Sequence, residues 1–77
     1  MMVLLSEFAK GLGEIYIILY SGCNHPTFYH HLKRISERYP MRRPIKGVVI
    51  TSREGGERVI ELLEKYKARY YEVIVVK

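Results

Sequence analysis

The stretch "YSGCNHPTFYHHLKR", Tyr20 to Arg34, holds most of the side chains in this 77-residue chain that lend themselves to chemistry: the single cysteine Cys23, with His25, His30 and His31 close by. Cys23 lies between an apolar run and a helical pattern. A thiol at a helix N-terminus ionises more readily and becomes a nucleophile. A C-x-x-C redox pair would need a second cysteine, but Pro26 stands in that place. A phosphatase-type loop would need an arginine six residues on, where Tyr29 stands. Cys23 is therefore a candidate nucleophile with no matched partner in the sequence. Cys23, His25 and His30 are the candidate metal ligands, since zinc takes four tetrahedral donors, or three and a water. Sequence neighbours on a helix point about 100° apart, so His30 and His31 do not readily share one ion. Nothing in the pattern calls for a cofactor.

Two further stretches follow apolar runs and precede helical patterns: "SGCNHP" and "TSREGG". In open α/β sheets ligands gather beyond the carboxyl ends of the strands. Helix N-termini meeting there offer free N–H groups to a phosphate. Ser21, Gly22, Asn24, Ser52, Arg53, Gly55 and Gly56 are the residues that would line such a site. The glycine spacing matches no dinucleotide or Walker fingerprint.

The strongest charge signal is "KRISERYPMRRPIKG", in which Lys33, Arg34, Arg38, Arg42, Arg43 and Lys46 face Glu37 alone. Segregated positive charge draws polyanions more than an even scatter does. Arg42 and Arg43 would clamp phosphates as forks, and Tyr39 would stack on a base. Pro40 and Pro44 stiffen the loop, which lowers the cost of ordering it on a partner. This segment makes nucleic acid, DNA or RNA, the expected partner. Contact would rest on phosphates rather than sequence.

These residues must be held by a scaffold. "EIYIILY", "KGVVITS" and "YYEVIVVK" are nearly continuous apolar runs, the habit of strands covered on both faces in parallel sheets. Pro26 suits a first helical position, and Phe28, Leu32, Ile35 and Tyr39 form one helical stripe ended by Pro40. A second helix is expected to start near residues 54–57, with Val59, Leu62 or Leu63, Tyr66 and Tyr70 as its stripe. Glu61–Lys65 and Glu54–Arg58 are the expected pairs within it. The expected fold is an α/β single domain over residues 1–77: β-α-β-α-β with a mainly parallel three-stranded sheet, order 2-1-3 favoured over 1-2-3. The N-terminal segment reads as a short helix or an edge strand. In such a sheet the basic loop lies at the amino ends of the strands and both glycine loops at the carboxyl ends, so the two candidate sites occupy opposite poles.

Composition sets the remaining bounds. The net charge is +5 and the isoelectric point about 9.5. One cysteine permits no internal disulfide, so a thin core or a partner subunit must stabilise the chain. Asp, Gln and Trp are absent while Glu, Lys and Arg abound, a leaning towards a heat-adapted source. "MMVLLSEFAK" lacks the basic start of a leader, and no run is long enough to span a bilayer. The expected setting is cytoplasmic, with a reduced thiol. The exposed edges of a small sheet, "YYEVIVVK" above all, point to a homodimer.

Overall fold

The computed structural model describes residues 13–23 and 25–77. The expected N-terminal helix or edge strand, and Asn24, lie outside the described residues. The element order is β1 (Ile15–Ser21), α1 (Pro26–Arg38), β2 (Met41–Arg42), β3 (Val48–Ser52), α2 (Arg53–Lys65) and β4 (Tyr70–Val76).

The sheet runs β2-β3-β1-β4, and every neighbouring pair is antiparallel. The expected mainly parallel three-stranded sheet is therefore corrected in two respects: there is a fourth strand, and β3 and β4 both run against β1. The cause lies between α1 and β3. Pro40 ends the helix, Met41 and Arg42 pair with Thr51 and Ile50, and residues 43–47 turn the chain back. The buried Thr51 hydroxyl donates to the Pro40 carbonyl at 2.5 Å and fixes this hairpin. Gly47, at φ +91°, closes the turn in a conformation that a side chain would strain, and the Val48 N–H donates to the Ile45 carbonyl. Each helix still joins parallel strands, β1 to β2 and β3 to β4, with one antiparallel strand inserted between them. This is the split β-α-β arrangement of ferredoxin-like sheets.

Both helices start and stop on local signals. α1 opens with Pro26 at its first turn and ends at Tyr39, whose backbone is extended (φ −129°, ψ 145°) as a residue before proline must be. α2 begins one residue before the expected range. The Ser52 side chain caps it by accepting from the Gly55 N–H at 3.4 Å. Its side-chain pairs are Arg53–Glu57 at 3.3 Å and Arg58–Glu61 at 3.7 Å rather than the two expected. Tyr70 belongs to β4, not to the helix stripe.

Phe28, Leu32, Val59, Leu63, Ile18 and Val49 are fully buried between the helices and one face of the sheet. The pairing register places Tyr16, Ile18, Tyr20, Val49, Thr51 and Met41 on that face. Ile17, Leu19, Val48, Ile50, Ile74 and Val76 point the other way. Their continuous apolarity mimics a strand covered on both sides.

Candidate nucleic-acid interface

Because β3 opposes β1, the two glycine loops do not meet. Ser21 lies opposite Tyr70 at one end of the sheet, and Ser52 lies opposite Ile15 at the other. The N-termini of α1 and α2 are likewise at opposite ends. The loop at residues 43–47 joins the Ser21 end, where the Tyr20 N–H donates to the Gly47 carbonyl at 2.9 Å. The expected division, cations at one pole and glycine loops at the other, does not exist in this fold.

The proposed phosphate-site residues have other work. Ser52 caps α2. Arg53 reaches Glu57 and, at 3.6 Å, Glu14 across to the start of β1. Gly55 and Gly56 are not loop residues but buried helix positions. A Cβ on Gly56 would come within 2.8 Å of Tyr16 Cβ and Cγ, so α2 lies against β1 at van der Waals limit. Gly22 (φ +73°) lies against the Cβ of Arg69, in the link between α2 and β4.

Cys23 is buried in the hydrophobic core, and desolvation pushes its thiol pKa up. That is the reverse of an activated nucleophile. His25 is exposed and packs its ring on Tyr66 at 5.7 Å; His30 is exposed beside His31 at 6.1 Å. Among the described residues, no three His, Cys or Glu side chains gather where they could hold a metal ion.

The basic segment is divided by the fold. Arg42 and Arg43 do not form a fork. Arg42 pairs with Ile50, so it belongs to the face of the sheet away from the helices, and its guanidinium donates to the Met41 carbonyl. Arg43 lies near the Tyr20 hydroxyl, whose pKa burial and then Tyr29 raise, with Arg43 opposing them only weakly. Lys46 is exposed in the same turn, and Lys33 is exposed on α1.

Arg34, Arg38 and Tyr39 do come together, with partners the sequence reading had passed over. α1 and α2 run antiparallel, and an open groove of about 850 Å³ lies between them. His31, Arg34, Glu37 and Arg38 form one wall, and Arg58, Glu61 and Lys65 the other. Ile35 and Leu62 also line it, and Tyr39 stands at one end. The Tyr39 hydroxyl lies close to Arg58 and, ahead of the neighbouring Glu61, raises the proton affinity of that guanidinium. The ion pairs among the described residues use Arg53 and Arg58 only, so Arg34, Arg38 and Lys65 are in none of them, though Glu37 and Glu61 share their groove. Lys65 also lies over the Tyr66 ring at 5.7 Å.

The missed signal is periodic: Arg58, Leu62 and Lys65 recur at i, i+4 and i+7, along one flank of the stripe that packs on α1. Among the described residues, no helix is long and apolar enough to cross a membrane. No protein family, curated protein or solved structure matches this chain.

Proposed function

We propose that this protein binds nucleic acid along the α1–α2 groove, through phosphates and with little preference for sequence. The observation that carries this reading is the convergence of Arg34, Arg38, Arg58 and Lys65 from two helices on one open groove, against Glu37 and Glu61. From His31 to Arg38 the wall is about 10 Å long at 1.5 Å per residue. That matches roughly three nucleotides of duplex rise, at 3.4 Å each. The ring of Tyr39 offers a stacking surface at the groove's end. A cationic valley between helices grips a backbone rather than inserting a helix into a major groove, which supports the absence of base readout.

The other broad surface suits nucleic acid poorly. Single-stranded RNA bound on a four-stranded sheet stacks on aromatic rings of its open face. Here the centre of that face is Ile17, Leu19, Val48 and Ile50.

The test is binding of labelled DNA and RNA over a salt series. Each phosphate contact contributes about 0.9 to the log–log salt slope on duplex. Arg34→Ala with Arg38→Ala should flatten the slope by nearly 2 and weaken binding on the order of 50-fold at 0.1 M salt. Arg42→Ala with Arg43→Ala should cost much less. Affinity that ignores salt, or that is lost through the second pair and kept with the first, removes the groove from the reading.

A different observation favours a second role, association through a strand edge. β4 is the long outer strand of the sheet and carries a single charged residue, Glu72. On this reading the chain is also an interaction module and forms a homodimer.

A further inference from the structure

The two edges of the sheet are built in opposite ways. The β2 edge is two residues long, carries Arg42, and is flanked by Pro40 and Pro44. Short length, charge and proline are the devices that keep an edge from pairing with another chain. The β4 edge has no proline and a single charge, Glu72. It is seven residues long, and among the described residues its outer backbone N–H and C=O groups face no strand.

β4 is also partly exposed on both faces. Tyr71 and Val75 point to the helix side yet are 36% and 44% exposed. Tyr70 and Ile74 point the other way and are 52% and 42% exposed. Glu72 is answered within its own strand, since the Tyr70 hydroxyl donates to its carboxylate at 2.5 Å. At roughly 150–250 Å² per large side chain, these four leave on the order of 350 Å² uncovered per copy, about 700 Å² for a pair. The paired backbones, Glu72 and Lys77 bring the ceiling for a full-length pairing to about 1,000 Å², the threshold a specific interface must reach.

Resting on the edge-pairing reading above, we infer that β4 pairs with β4 of a second copy, antiparallel about a two-fold axis through Val73. This register overlaps Tyr70–Val76 with itself over its whole length. It sets Tyr71 against the partner's Val75 and Tyr70 against the partner's Val76, aromatic on β-branched, which are favourable cross-strand pairs. Glu72 meets the partner's Ile74. An axis normal to the sheet keeps each copy's faces aligned, so the product is one eight-stranded sheet with all four helices on the same side. Both basic grooves then open on one surface, and a single polyanion can engage the two together.

Sedimentation of the full chain from about 1 to 100 μM tests the assembly, and three variants test the register. Val75→Lys should weaken the dimer at least tenfold. Ile74→Lys should be tolerated, because it meets the partner's Glu72. Val73→Cys should cross-link readily under mild oxidation, since the two Cα atoms at the axis lie about 4.5–5.5 Å apart, within disulfide reach. Cys23 is buried and stays silent. A monomer at 100 μM, or a dimer indifferent to Val75→Lys, overturns the proposal and the edge reading with it. A dimer broken by both lysine variants and not cross-linked through position 73 keeps the edge reading but overturns this register. Arg34→Ala with Arg38→Ala should leave the sedimentation unchanged, so the groove and the edge fail separately.

Discussion

Replacing Gly56 by alanine tests how closely α2 lies against the sheet. In an ordinary helix interior the change stabilises by about 0.8–1 kcal/mol, because glycine is a poor helix former. Here the new methyl would stand 2.8 Å from Cβ and Cγ of Tyr16, and 2.5 Å from Cδ2. Comfortable carbon–carbon separation is about 3.5–4.0 Å. Ring atoms can swing aside, but Tyr16 Cβ is fixed to the backbone of the central strand, so α2 must back away. Overpacking of this kind costs about 1–3 kcal/mol beyond what propensity returns. For a domain of this size each kcal/mol moves the melting midpoint by about 4–8 °C. Gly56→Ala should therefore melt about 5–15 °C lower by far-UV circular dichroism, at fixed protein concentration. Glu57→Ala, next along the helix and exposed, should move it little, since it loses only a surface pair with Arg53. The displaced helix also carries Arg58 and Lys65, so phosphate affinity should fall along with stability. An unchanged or raised midpoint would refute the close contact and, with it, the groove's fixed width.

Other outcomes follow from the same contacts. Burial raises the pKa of Cys23; burial and then the neighbouring Tyr29 raise that of Tyr20. A raised folded-state pKa means the unfolded chain ionises first, so stability is full below the unfolded values, about 8.5 and 10, and declines as pH climbs through them. Urea midpoints should fall steadily from pH 8 to 10.5, and Cys23→Ala should remove the lower part of that fall. Iodoacetamide at pH 8 should alkylate Cys23 at least a hundredfold more slowly in the native chain than in urea; equal rates would contradict its burial. Thr51→Val keeps the shape but strips the Pro40 carbonyl of its donor, which should cost about 1–2 kcal/mol in urea titration.

The sequence makes the scaffold's pieces legible and their directions obscure. Pro26, Pro40 and the Phe28–Leu32–Ile35 stripe bound α1 to within a residue, because each acts through local geometry. The three long strands show in their β-branched runs. Strand direction depended on Met41 and Arg42, a two-residue strand within the three residues between Pro40 and Pro44, too short for any period to register. Continuous apolarity then misled, since β1 and β4 carry it also on the face that neither α1 nor α2 covers. The site suffers from the same cause. Arg34, Arg38 and Tyr39 share the α1 stretch and could be grouped by eye. Arg58 and Lys65 join them only because the helices lie side by side, which is tertiary information. Arg42 and Arg43 looked like a pair because they are adjacent, yet adjacent residues in an extended backbone point to opposite faces.

The two-residue β2 also decides where assembly ends. If β4 edges join, both β2 edges face outwards, each with one arginine on the strand and a proline on either flank. A third chain finds no row of free amides to dock on, so growth closes at two. On that proposal a seven-residue edge, which in a less guarded protein would seed fibres, would serve as a one-time joint.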